Sequence, residues 1–332
     1  MKRAVVVGID DYRGSGNDLQ GCVADALSVT DKLKNHGDGD PNFEVVTLTS
    51  DVAPVTTEAL DEGVRALFRG PAETVVFYFA GHGLLDAETN SGHLLTHDFK
   101  RGAPGLSMET LLGMANEAFK SNIHSTVIIL DCCHAGFLGE VGALGNRTVS
   151  TIGTGVTILT AAGRNQKAAE HEGHGLFTGI MLDGLNGSAC DVLGRITPAA
   201  LYALIDQTLG NFGQRPIYKV NVQTFITLRE VAPKVPREVL RRLKDYFPTP
   251  GSVFPVDPSF EPDRGAFAEE YRHVEVVAAN AAAFREMQAY YRVNLVTPVD
   301  QPFPWHAAMH RTGFRLTAQG AHYRMMAEKN KF

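Results

Sequence analysis

Two short stretches carry the residues that could do chemistry. "YFAGHG" (78–83) places His82 between two glycines, and "LDCCHAG" (130–136) places Asp131, Cys132, Cys133 and His134 in succession. Each follows a short apolar, β-branched run, so each reads as the exit of a buried strand. A thiol with a pKa near 8.5 is mostly protonated at neutral pH, and an adjacent imidazole lowers that pKa and shuttles the proton. A histidine and a cysteine at neighbouring strand ends are therefore a candidate nucleophile and base. A metal site from Cys132, Cys133 and His134 is disfavoured, because adjacent residues converge poorly on one ion and no Cys-x-x-Cys partner exists. A vicinal disulfide between the two cysteines would be strained.

Strand geometry chooses between the cysteines. Side chains alternate along a strand, so Asp131 and Cys133 share one face and Cys132 takes the other. We assign the nucleophile to Cys133 and packing to Cys132. Gly83 lets the backbone after His82 approach a substrate, and its N–H together with that of Cys133 could hold an oxyanion.

The elements that must position these residues are legible from periodicity. Five segments read as buried strands: 3–10, 43–50, 73–81, 125–132 and 155–163, with "PIYKVNVQTFITL" as a sixth. Helical patterns lie between them, at 18–37, 56–68 and 107–120, and again around 176–186 and 197–211. Near-continuous apolar strands alternating with helices predict an α/β domain, a mostly parallel six-stranded sheet with helices on both faces. In such sheets ligands gather outside the carboxyl ends of the strands.

Bulk properties set limits. With 332 residues the chain can hold one large domain plus an appendage. A net charge of −6 gives no global basic field, so nucleic acid is not an expected partner. The four cysteines fit a reducing compartment. The apolar run after Lys2-Arg3 is too short for a secretory signal, and no segment approaches the roughly 20 apolar residues needed to cross a bilayer. A soluble, cytoplasmic protein without membrane association is the expectation. Residues 1–230 are expected to form the main domain. Residues 231–264, rich in proline, read as an irregular connector, and 265–332 as a C-terminal extension with a helix over 266–292 that packs back onto the main domain.

Taken together, "YFAGHG" and "DCCHAG", with His82 and Cys133 51 residues apart, resemble the caspase-like clan of cysteine peptidases, in its metacaspase and bacterial caspase-homologue branch. The resemblance spans most of residues 3–228 and includes "LQGCVADA", "HGLFTGIMLDGL" and "TILTAAGRNQKAAE". It implies His82 and Cys133 as the catalytic dyad. It also implies a pocket for a basic side chain lined by Cys22, Asp25 and Asp131, hence cleavage of protein substrates after Arg or Lys. Two carboxylates in one pocket suit a guanidinium or an ammonium. From the residues alone, Asp25 could equally be a helix-terminus carboxylate, Asp131 a turn cap and Cys22 a core residue. The family's usual Ser two residues before the histidine is Ala80 here. "LLTHDFK" offers only Asp98 where calcium-activated relatives carry an acidic cluster, so no cofactor or metal is expected.

The Gly-, Ser- and Thr-rich stretch 136–155 falls where caspases carry their inter-subunit linker, and Arg147 within it is the expected self-processing site of a zymogen. The extension could mask the cleft or dock an activating or inhibiting protein. The resemblance implies a bacterial stress, cell-death or antiphage setting. A catalytically silent scaffold of the same fold is the competing reading.

Overall fold

The structure, a computed structural model, describes residues 1–13, 18–86, 91–100, 103–132, 152–161, 170–171, 174–210 and 215–332. The chain divides into two compact units, Met1–Cys190 with Gly194–Ala232, and Asp191–Leu193 with Pro233–Phe332.

The first unit is built on β1 (Lys2–Gly8), α1 (Cys22–Lys34), β2 (Glu44–Thr49), α2 (Thr57–Leu67), β3 (Ala72–Ala80), β4 (Gly83–Asp86), β5 (Ser91–Lys100), β6 (Ala103–Ser107), α3 (Met108–Ala118), β7 (Ile123–Asp131), β8 (Val156–Thr160), α4 (Leu176–Asp183), α5 (Pro198–Leu209) and β9 (Ile217–Asn221). Six strands form the central sheet in the order β9-β8-β7-β3-β1-β2. All neighbours are parallel except β9, which closes the β8 edge antiparallel. All six expected strands are present, and the fold class is the mixed α/β sheet read from the sequence.

Alternation along the strands sorts the core into two layers. Val5, Val7, Phe77, Phe79, Ile128 and Leu130 pack beneath α2 and α3. Ala4, Val6, Val76, Tyr78, Val127 and Ile129 face α1, α4 and α5. Burying one such side chain contributes roughly 1.5–3 kcal/mol, so both faces need a helical cover. The caps are local. Thr56, Ser107 and Thr197 each accept backbone N–H bonds at the starts of α2, α3 and α5. α1 begins at Gly21, which has no side chain to cap with, and Asp10 from the end of β1 accepts from Cys22 and Val23 instead.

The sequence reading did not anticipate β4-β5-β6, a small antiparallel sheet directly after His82. Short strands within "GLLD" and "APGLS" carry too little periodicity to stand out.

The second unit has its own core, including Leu240, Phe247, Phe284, Tyr290 and Phe314. Its three-stranded antiparallel sheet sets Gly313–Leu316 between Val253–Pro255 and Val296–Pro298. The proline-rich stretch expected as a connector supplies Val235, Leu240, Leu243, Phe247 and Val256 to this core. Its prolines fall where rigidity is tolerated, Pro236 ahead of a helix and Pro255 on an edge strand. The helix expected over 266–292 covers only Ala278–Arg292. Val274, Val276 and Val277 are β-branched and disfavour helix before it, and the Arg264 guanidinium holds the carbonyls of Tyr271 and Val274 in a non-helical turn.

Helix α1 reaches the sheet through Gly8. A Cβ there would lie 2.7 Å from the Ala26 Cβ and overlap the Cys22 carbonyl oxygen. Gly8→Ala should therefore destabilise the first unit by about 1–3 kcal/mol, by overpacking. Urea unfolding, with the midpoint lowered and the slope unchanged, is the check.

Candidate active site

The carboxyl edge of the sheet is organised by the β3–β7 ladder, whose last register pair is Ala80 with Asp131. Gly81 continues it, its N–H donating to the Asp131 carbonyl at 3.3 Å. His82 follows, half-buried, with both of its backbone polar groups engaged. Its N–H donates to the Tyr12 hydroxyl at 2.7 Å, and its carbonyl accepts from Leu95 N–H at 2.9 Å. The latter bond makes Gly83 and Leu94 a non-hydrogen-bonded pair, so the β4–β5 ladder leaves the Gly83 N–H unused.

Tyr12 is completely buried, and its ring lies 4.7 Å from the His82 ring at an interplanar angle of 51°. Its own N–H is anchored on Asp18 Oδ1 at 3.0 Å. A Cβ on residue 81 would lie 2.6 Å from the Tyr12 oxygen, so only glycine allows this approach. Burial raises the Tyr12 pKa far above the ordinary phenol value, with the nearby Cys22, Cys132 and Asp10 adding to it against the lowering bond from His82. The hydroxyl stays protonated at every physiological pH.

A second cluster forms around Gly175, immediately before α4. Gly175 N–H donates to Asp25 Oδ2 at 2.9 Å. Asp131 Oδ2 accepts from the Thr178 hydroxyl at 2.7 Å and from Thr178 N–H at 3.3 Å. The Thr178 hydroxyl, having given its proton to Asp131, accepts from Tyr78, whose oxygen is 2.7 Å away. The Cβ position of Gly175 lies 3.2 Å from Asp25 Oδ2 and closer still to Asp131 Oδ2, so both carboxylates converge on one point. Asp25 is 1% exposed and Asp131 6%. Burial and the charges of Asp131 and Asp25 push the Tyr78 pKa well up.

Besides His82 and Gly83, the residues singled out from the sequence fall into four groups. Asp25 and Asp131 are brought together, in a buried setting that a solvated surface carboxylate would not occupy, and Asp131 also caps α4. Cys22, the first residue of α1, is buried in the core layer between that helix and the sheet, and Cys132 in the opposite layer. Cys133 and Arg147 lie outside the described residues. Asp98 accepts from the backbone and hydroxyl of Thr57 and from Thr96 at the start of α2. Burial raises its pKa, but those donors outweigh it and hold the carboxyl below its ordinary value. Among the described residues, no group of three or more His, Cys, Asp or Glu could hold a metal ion.

Tyr12, Tyr78, Gly175 and Thr178 escaped the sequence reading. The aromatic four residues after β1 and the Gly-x-x-Thr before an apolar helix were the signals, but neither names its partner.

Tyr12→Phe keeps the ring and strands the His82 N–H, a loss of about 1–3 kcal/mol in stability. Because the Tyr12 and Tyr78 pKa values are raised on folding, their contribution is complete below about pH 10 and is lost as pH rises beyond it. Unfolding free energy should fall above that pH, with a shallower slope in Tyr12→Phe. Urea titrations between about pH 8 and 11, spanning the ordinary phenol pKa of about 10, would show both.

Comparison with known proteins places this chain in a lineage. The family model described as "Caspase domain" matches residues 1–224. Among solved structures, caspase-1 from Spodoptera frugiperda superposes with a TM-score of 0.52 at 11% identity, covering 69% of this chain and 90% of that one. A protein from Geobacter sulfurreducens gives a TM-score of 0.47 at 16% identity, covering 70% and 97%. No curated protein matches the chain. No helix among the described residues is long and apolar enough to cross a membrane. The family match extends over the whole six-stranded sheet and its carboxyl edge, and on it the chain belongs to the caspase-domain family of cysteine peptidases.

Proposed function

We propose that the protein is a cysteine endopeptidase that cleaves protein substrates after Arg or Lys, with Cys133 and His82 as its dyad. The observation that carries this reading is the β3–β7 register. Ala80 pairs with Asp131, and His82 and Cys133 each stand two residues further along their chains. In a parallel ladder, equal steps past a register pair start from strands about 4.8 Å apart.

The chemistry follows from the residue types. His82 takes the Cys133 thiol proton, and the sulfur attacks the carbonyl carbon of the basic residue. The carbonyl electron pair moves onto oxygen, where the N–H groups of Gly83 and Cys133 stabilise it. Collapse breaks the C–N bond, and His82 returns the proton to the departing amine. Water then hydrolyses the thioester, regenerating the thiol. No cofactor enters. The role of Tyr12 is to fix the His82 backbone without competing for protons. Asp25 and Asp131 receive the substrate cation; their convergence at Gly175 supports basic specificity over acidic. Cys22 contributes a wall to that pocket. As a zymogen, the enzyme would process itself after Arg147, and the second unit would control access or recruit a partner.

The test is hydrolysis of matched fluorogenic peptides ending in Arg, Lys or Asp. Arg and Lys peptides should be cleaved, and Cys133→Ala and His82→Ala should abolish it. Asp25→Asn and Asp131→Asn should each lower kcat/KM for the Arg peptide by roughly 10- to 100-fold, the value of a charged hydrogen bond. Cleavage after Asp would retain the dyad and reject the pocket. Silence from folded protein that also shows no self-cleavage at Arg147 would favour a scaffold. Arg147→Ala should remove the self-processing band on a gel.

A further inference from the structure

Asp131 is tied at once to β3 and to α4. Its carbonyl accepts from Gly81 N–H, next to His82, and its carboxylate is held by Thr178. Thr178 is 0% exposed and directs two donors at Oδ2, its hydroxyl at 2.7 Å and its N–H at 3.3 Å. The shorter bond is the side chain's. Behind Thr178 stands Tyr78, also 0% exposed, with its oxygen 2.7 Å from Thr178 Oγ1.

The direction of this chain of hydroxyls is fixed. An ionised carboxylate only accepts, so the single Thr178 proton goes to Oδ2 and Thr178 Oγ1 accepts from Tyr78. Burial, with the charges of Asp131 and Asp25 adding to it, keeps the Tyr78 phenol protonated and therefore a donor. The torsion of a carboxylate is broad and roughly two-fold, so backbone position alone leaves its plane open. Two donors on one oxygen set that plane, and they offset part of the cost of burying a charge. A cap for α4 would be complete with the Thr178 N–H alone. The Thr178 and Tyr78 hydroxyls act on the carboxylate, at the place where it converges with Asp25 beside Gly175.

We infer that Thr178 and Tyr78 are positioning residues for substrate specificity, holding Asp131 in the orientation that receives the cationic side chain at the cleavage position. This rests on the reading of Asp25 and Asp131 as the basic pocket. Neither residue touches the substrate; both act through Asp131. In a buried hydrogen-bonded chain each member polarises the next, so the far hydroxyl contributes as well as the near one.

The probes are two matched peptides, one with Arg at the cleavage position and one with citrulline, its neutral analogue of the same shape. Fluorescence anisotropy reads the affinity of the full-chain Cys133→Ala protein for each, and kcat/KM is measured with Cys133 intact. The expected result is a preference for Arg that falls roughly tenfold in Thr178→Val and about threefold in Tyr78→Phe. Thr178→Ser, which keeps the hydroxyl, should restore it. Equal losses for both peptides would mean a role in the fold alone and overturn the inference. An Arg preference that survives both substitutions overturns it too, with the pocket left standing. Equal affinity of the parent protein for the two peptides would reject the basic pocket, and the inference with it. Should Thr178→Val not fold by circular dichroism, Tyr78→Phe keeps the ring and the Thr178–Asp131 bond and carries the test, an unchanged preference there overturning the relay.

Discussion

The parallel pairing of β3 with β7 is the constraint on which the rest of the first unit depends. It runs from Ala72 beside Ile123 to Ala80 beside Asp131, and every residue on it is buried except Glu73 and His124. Parallel strands buried on both faces cannot slip by one residue without exchanging their two core layers. The register therefore fixes at once which side chains meet α2 and α3, which meet α1 and α4, and which residues leave the sheet together at its carboxyl edge. Asp131 faces α4 because Ile129 does; Cys132 faces the opposite layer because Leu130 does.

Beyond that edge the two candidate functional clusters are built by different means. His82 is held through its backbone, by a phenol on one side and the β5 main chain on the other. The acidic pair is held through side chains, by donors at the start of α4 and by the Tyr78–Thr178 hydroxyl relay. Both arrangements need a residue without a side chain at the contact, Gly81 against Tyr12 and Gly175 against the carboxylates. A buried carboxylate pair is costly unless donors and cations compensate it. Its presence beside a strand exit is the electrostatic feature that distinguishes this edge from an ordinary sheet terminus.

The second unit illustrates how composition misleads. Seven prolines within 231–263 suggest a chain that does not pack, yet the same stretch alternates them with Val235, Leu240, Phe247 and Val256, each of which is buried. Proline excludes helix interiors and central strands, and it does not exclude a core. Arg324 makes the same point for charge. It is only 6% exposed because its guanidinium donates to the Phe247 and Pro248 carbonyls and pairs with Glu328. No local pattern announces either arrangement.

What the sequence determined by itself was whatever short-range physics encodes: the six strands, from apolar β-branched runs; the helices between them, from the 3.6 period; and His82 as a strand-exit residue, from the glycines around it. The alternation that sets Asp131 and Cys132 on opposite faces was equally local. Only the tertiary structure decided what meets across long separations. That Tyr12 supports His82, that Asp25 and Asp131 converge on Gly175, and that Tyr78 reaches Asp131 through Thr178 all depend on contacts between segments tens to more than a hundred residues apart. Those contacts are set by sheet order and register, which a single chain's periodicity does not specify.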